Sequence, residues 1–144
     1  MSTRKRATCI VELLDQRGER YVLIAEQHGP SHDLLPGGRV ERNEAPIIAA
    51  IRELREETGL RSQGVIKLFE YASKHQMHHV FYMIVEPRAE PRARSDVKSV
   101  WRLKVTELEN LSNYKQLSRS TSDILTAYRN WRERHAALVE YVPN

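Results

Sequence analysis

Three carboxylates raise the chemical question. Glu53, Glu56 and Glu57 stand at i, i+3 and i+4 within APIIAAIRELREET, residues 45–58, a run of strong helix formers. At about 100° per residue with Glu53 at zero, Glu56 falls near 300° and Glu57 near 40°, so the three acids share one helix face. Carboxylates at this spacing repel each other by a few tenths of a kcal/mol per pair, and no lysine on the arc relieves them. A hard divalent cation, Mg²⁺ or Mn²⁺, removes that cost. It takes oxygen ligands, often one or two carboxylates, and leaves room for water and substrate phosphates. The bland reading of the same spacing is a solvated acidic face, with Glu53 and Glu56 paired to Arg52 and Arg55.

A helix over 45–58 must carry these acids, with Pro46 tolerated in its first turn and Gly59 placed to end it. On the same wheel Ile47, Ile51, Leu54 and Thr58 fall between roughly 100° and 160°. This predicts that the apolar stripe packs on the core while the acids face solvent or a cleft. Upstream, ATCIVELL (7–14) and RYVLIAE (20–26) flank the polar turn DQRGE and read as a hairpin. HGPSHDLLPGG (28–38), with two prolines and three glycines, reads as a loop. Downstream, VIKLFEYAS (65–73), HHVFYMIVE (78–86) and SVWRLKV (99–105) read as strands, with a basic, proline-containing loop from Pro87 to Arg94. A short helix is expected over Thr106–Leu111. A longer one is expected from about Ser120–Ser122, with a stripe of Ile124, Tyr128, Trp131, His135 and Leu138. This order of strands, helix, strands, helix predicts an α/β (α+β) architecture, a mixed β-sheet covered by helices on its faces.

At 144 residues the chain has the size of one domain, expected to span 1–144. With 40% hydrophobic and 29% charged residues it can bury one core, which excludes disordered and membranous classes. The longest apolar runs, such as Val80–Val85, are far below the roughly 18 residues that span a bilayer, and the opening residues lack an apolar h-region. No membrane partner and a cytoplasmic location are therefore expected. Cys9 is the single cysteine, which excludes an intrachain disulfide and a Cys-rich zinc site; it reads as a buried strand residue. The net charge of +4 favours an anionic ligand at long range.

The segment around the acids is more specific than their spacing. Gly38 to Leu60 reads GRVERNEAPIIAAIRELREETGL. It carries Gly38, Glu44, Arg52, Glu53, Leu54, Glu56, Glu57, Gly59 and Leu60 in the order and spacing of the Nudix box. If each of its seven strictly specified residues occurs at about 6%, chance agreement in one window is on the order of 10⁻⁹. The chain thus resembles the Nudix hydrolases (MutT-like), with the box at 38–60. The likeness extends to LLPGG before the box and VWRLKVTELENL after it.

This resemblance implies an α/β/α sandwich, the Nudix fold. It also implies hydrolysis of nucleoside diphosphates linked to another moiety, with Mg²⁺ or Mn²⁺ held by Glu53, Glu56 and Glu57 and the Gly38 carbonyl. Arg52 in such boxes orients the neighbouring glutamate, and Glu44 steadies the entry to the helix. The reaction needs a cation to neutralise phosphate oxygens and a metal-bound water to attack phosphorus. Glu53, Arg52 and Glu56 are the expected catalytic residues, with Glu53 first choice as base and Glu86, Glu90 and Asp96 as alternatives.

Arg4, Arg6, His78 and His79 are candidate substrate contacts. His75, Lys5 and the loop arginines Arg88, Arg92 and Arg94 share that reading as contacts for a polyanionic substrate, and an exposed, solvated surface is the plain reading of the histidines and the basic residues alike. Tyr71, Phe81, Tyr82 and Trp101 could stack on a nucleobase but more often fill a sheet core. The expected partner is a small anionic diphosphate, with no stable nucleic-acid partner, and the terminal apolar stripe could serve a homodimer. Two rivals stand beside this reading. One is a non-catalytic Nudix-fold binding module, against which the intact carboxylates argue. The other is the isopentenyl-diphosphate isomerase branch, which needs a pocket cysteine. RKRATC and KLFEYASKHQMHHVFYMIVE loosely resemble diphosphoinositol-polyphosphate and diadenosine-polyphosphate hydrolases; house-cleaning of nucleoside triphosphates is an equal alternative.

Overall fold

The computed structural model describes residues 4–140. Strands β1 (Arg4–Ile10), β2 (Glu12–Leu14), β3 (Arg20–Gln27) and β4 (Gly37–Arg39) lead into helix α1 (Pro46–Thr58). Strands β5 (Gly64–Ala72), β6 (Gln76–Ile84) and β7 (Val97–Lys104) follow. Two 3₁₀ turns then lead to helices α2 (Arg119–Arg134) and α3 (Ala136–Val139). The strands form two sheets: a mixed one in the order β4-β1-β6-β5, with β1 and β6 parallel, and an antiparallel one in the order β2-β3-β7. Among the described residues no helix is long and apolar enough to cross a membrane.

The expected hairpin is a more divided object. Residues 7–14 are one strand by composition, yet β1 lies in the mixed sheet and only Glu12–Leu14 pair with β3. Every side chain from Ala7 to Leu14 is buried. A run buried on both faces shows no alternation, so its pattern cannot say which sheet it joins or where it changes. The expected loop likewise contains β4, whose Gly37, Gly38 and Arg39 pair with Thr8, Ala7 and Arg6.

Alternation along β1, β3 and β6 serves two cores. Ile10, Val22, Ile24, Val80, Tyr82 and Leu103 meet Ile124, Leu125 and Tyr128 of α2. Cys9, Val11, Leu13, Leu23, Phe81 and Met83 meet Ala49, Ala50 and Leu54 of α1. The cap of α2 is Ser118, earlier than expected, and its side chain accepts from the Thr121 N–H. The terminal stripe holds for Ile124, Tyr128 and the half-buried Trp131. His135 lies beyond the end of α2, and Leu138 is exposed while Val139 takes the buried place.

The α1 stripe is a correction. Leu54 and Thr58 are buried as expected, but Ile47 and Ile51 are 40% and 37% exposed, and Ala49 and Ala50 take their place against the sheet. The buried arc of α1 is thus rotated toward Glu53 and Glu57. Small residues let the helix axis come close to β1 and β4, which the larger isoleucines would prevent.

Glu12 is a buried carboxylate that no pattern in the sequence points to. The Glu12 side chain is fully enclosed, accepting from Arg132 Nε at 2.6 Å and Nη2 at 3.0 Å and from the Tyr128 hydroxyl, with Arg20 at 3.6 Å. It fastens α2 to the β2–β3 hairpin. Glu12→Ala leaves a guanidinium and a phenol unpaired in the core and should lower unfolding free energy by about 3–5 kcal/mol in urea titrations. Glu12→Gln should cost less, because it keeps the acceptor.

Candidate active site

The junction between β4 and α1 is built on two close approaches. Gly37 has φ +149°, and a Cβ there would sit 2.1 Å from the Ala7 carbonyl oxygen. Only glycine can hold that place while its N–H donates to Glu57 Oε1 at 2.8 Å. A Cβ on Gly38 would sit 2.4 Å from Cδ of Glu53 and 2.5 and 2.7 Å from its two oxygens. The two glycines therefore admit two carboxylates of the neighbouring helix, Glu57 against Gly37 and Glu53 against Gly38.

One guanidinium organises the rest. Arg52 donates from Nε and Nη2 to the two oxygens of Glu44 at 2.8 and 2.9 Å, and from Nη2 to the Arg39 carbonyl at 3.1 Å. Its Nη1 donates to Glu53 Oε1 at 2.8 Å and to Glu56 Oε2 at 3.3 Å. The repulsion expected among the acids is thus partly relieved by Arg52. Its hydrogen bonds hold Glu44 down to about 2, and Glu44 in turn accepts from the Glu41 N–H at 2.9 Å, which ties the 39–44 turn to the helix.

Glu57 has no such partner. Burial pushes its carboxyl up to about 7, against the pull of the Gly37 N–H and of Arg6. Arg6 is itself buried enough to lower its pKa, and it donates from Nη2 to the Leu35 carbonyl at 2.8 Å. On the same face of the mixed sheet His78 is buried, with Nδ1 2.9 Å from Thr8 Oγ1 and no partner for Nε2. Burial, then the charge of Arg6, lower it to about 4, so it is neutral near pH 7.

The remaining candidates divide by location. Arg4 shares the face of Arg6 and is exposed at the end of β1. His79 projects to the opposite face, with Nδ1 3.5 Å from Glu70, so the two histidines do not meet one ligand together. His75 is exposed. Glu90 pairs with Arg102 at 3.3 Å and Glu86 accepts from the Arg88 N–H, in a segment that bonds to Leu14 and lies away from β4. Asp96 is the alternative acid whose charge acts on Glu57. The basic loop divides too: the Arg92 and Arg94 N–H groups bond to the Thr58 and Glu57 carbonyls, while Arg88 does not reach the helix end.

Phe81 and Tyr82 fill the two cores, Tyr71 donates its hydroxyl to Asp123 at 2.6 Å, and Trp101 donates to Asp33 at 2.9 Å. Cys9 is buried with its thiol 3.5 Å from the Ala50 carbonyl, and burial pushes the thiol up, so it is no pocket nucleophile. Leu35, Gly37 and Thr8 were not anticipated; LPGG was the only signal, and it does not name their partners. Among the described residues no three acidic, histidine or cysteine side chains already converge as a metal cage.

A family model for the NUDIX domain matches residues 3–125. The chain belongs to the Nudix family. Over 84 residues it is 30% identical to diphosphoinositol polyphosphate phosphohydrolase 2 of Mus musculus, covering 57% of this chain and 46% of the relative. It thus spans less than half the length of that curated relative. Among solved structures, a nudix hydrolase family member from Chromobacterium violaceum superposes with a TM-score of 0.77 at 28% identity, covering 96% of this chain and 89% of the other. The NUDIX domain of Shewanella oneidensis NrtR, complexed with ADP ribose, gives 0.71 at 12% identity, covering 90% and 88%. A C. elegans Ap4A hydrolase gives 0.66 at 16%, covering 91% and 98%. The last two likenesses show the Nudix fold alone, and the α+β arrangement of two sheets and helices agrees with them.

The half-buried Glu57 predicts a pH effect. Its folded value of about 7 lies above the ordinary 4.5, so the folded state binds the proton more tightly. Its contribution is full below pH 4.5 and is lost as pH rises through about 7. In chelator, the unfolding free energy should fall across that window by an amount on the order of 3 kcal/mol. Glu57→Gln should flatten the fall, as read from urea midpoints at a series of pH values.

Proposed function

We propose that this chain is a divalent-metal-dependent hydrolase that cleaves a phosphoanhydride in a small, highly anionic diphosphate. The observation that carries the reading is the seating of Glu53 and Glu57 against Gly38 and Gly37, with Arg52 clamping Glu44, Glu53 and Glu56. The donor set suits Mg²⁺ or Mn²⁺: it is all oxygen, and Glu57 carries a half-buried charge that lacks a direct cationic partner. Glu53, Glu56, Glu57 and the Gly38 carbonyl would hold the ion. When bound, it supplies positive charge to phosphate oxygens and lowers the pKa of water.

The residues of the chain do the remainder. Arg52 binds Glu53 through Oε1 and leaves Oε2 without a hydrogen-bond partner among the described residues, so that oxygen can take the proton of the attacking water. Arg6, with Arg4 beside it, supplies guanidinium donors to non-bridging phosphate oxygens. Neutral His78 adds polarity without a second charge. A cavity of about 570 Å³ whose lining includes Gln27, His28, His32, Asp96 and Ser118 is linked to the site through Asp96, whose charge acts on Glu57, and offers polar groups for the rest of a substrate. Support for a polyphosphorylated substrate comes from the sequence relative named for diphosphoinositol polyphosphates.

Hydrolysis should require Mg²⁺ or Mn²⁺ and cease in excess EDTA; equal turnover in EDTA would remove the metal reading. Screening diphosphorylated inositols, dinucleoside polyphosphates and nucleoside triphosphates identifies the substrate. On it, Arg52→Ala and Glu53→Gln should lower kcat by about 10²- to 10⁴-fold with little change in KM. If Glu53→Gln keeps its kcat, Asp96 becomes the base to test. Arg6→Ala should act mainly on KM, because its contact exists in the ground state as well.

A further inference from the structure

The basic loop that follows β6 is not absorbed by the cleft. Arg88 instead faces a separate cavity of about 540 Å³ between that loop and the β2–β3 turn, lined also by Arg17, Arg102, Asp15, Gln16 and Glu90. The volume falls within the range of about 300–1,000 Å³ usual for small-molecule sites. Both walls are held by backbone bonds: Leu14 donates to the Pro87 carbonyl at 2.8 Å, and Asp15 and Glu19 close the turn at 3.0 Å.

The charges in this cavity are unbalanced. Among the described residues neither the Arg17 nor the Arg88 guanidinium has a carboxylate within 4.0 Å, their carboxylate contacts being made by backbone N–H groups, while the Arg102 guanidinium meets Glu90 at 3.3 Å. Asp15, the other acid, is committed to its own turn, accepting from the N–H groups of Arg17 and Glu19 at 2.8 and 2.9 Å and from the Tyr21 hydroxyl at 3.2 Å. Glu90 is exposed and easily displaced. Two unpartnered guanidinium groups and a third in reach form a set of planar donor forks, the geometry that suits phosphate. The place is distinct from the cleft, since β4 pairs with Arg6–Thr8 whereas this cavity begins at Leu14, about 20 Å further along the strand path.

We propose that this cavity is a second anion site, which takes a phosphorylated small molecule on Arg17, Arg88 and Arg102. The site needs no divalent ion and works independently of the chemistry at α1.

The test uses the full ¹⁵N-labelled chain in EDTA, titrated with inorganic pyrophosphate at constant ionic strength. Saturable shifts are expected at the amides of Gln16, Arg17, Gly18, Arg88 and Ala89. Arg17→Ala combined with Arg88→Ala should weaken binding at these amides at least ten-fold, with the rest of the spectrum unchanged. Arg6→Ala should leave it intact. If the double variant loses its folded spectrum, Arg88→Gln alone replaces it, with at least a three-fold loss expected. Shifts confined to Gly37–Glu57, shifts that do not saturate, or saturable shifts unaltered in the arginine variants would each overturn the proposal.

Discussion

The distance of closest approach between α1 and β4 is the constraint on which the candidate site depends. It is set by Ala49 and Ala50 on the helix and by Gly37 and Gly38 on the strand. Methyl groups in place of the glycine hydrogens would occupy the space of the Ala7 carbonyl and the Glu53 carboxylate. Isoleucines in place of the alanines would hold the helix off the sheet. The acids reach the strand only because neither side of the contact carries bulk, and the isoleucines of α1 are turned outward as a consequence.

Glu12, buried, and Glu57, half-buried, illustrate opposite outcomes of the same desolvation problem. Glu12 is enclosed and satisfied, with two arginines and a tyrosine, and its use is to bind the terminal helix to the hairpin. Glu57 is half-buried and left short, with one backbone N–H and a more distant Arg6. A partly desolvated charge without a direct partner is a standing demand for positive charge. Arg52 keeps that demand local by holding Glu53 and Glu56, so Glu57 alone carries it.

Strand alternation distributes the other polar groups. Arg6, Thr8 and His78 face one side of the mixed sheet, and His79 faces the other with Glu70. Two adjacent histidines therefore belong to different surroundings, and only one stands with the arginines that open toward Gly37. The basic loop is divided by a similar cause: its backbone bonds first to Leu14 and later to the end of α1, which separates Arg88 from Arg92 and Arg94.

The helix, its acids and its stop at Gly59 were legible in the sequence because they depend on local spacing and on one contiguous motif of 23 residues. Most strand positions were legible within a few residues for the same reason. The division of residues 7–14 between two sheets was not, since an unbroken buried run carries no alternation to read. Nor was the rotation of α1, because the wheel places apolar side chains inward by type, whereas the sheet selected the arc with the smallest ones. The short strand at Gly37–Arg39, the Arg6 bond to Leu35 and the enclosure of Glu12 by Arg132 join residues 29 to 120 positions apart. No local pattern encodes such pairings. The sequence alone determined which residue types were available for chemistry and on what helix they lay; tertiary packing decided which of them were desolvated, which were neutralised, and which face one another, because desolvation and pairing are properties of neighbours brought together only by folding.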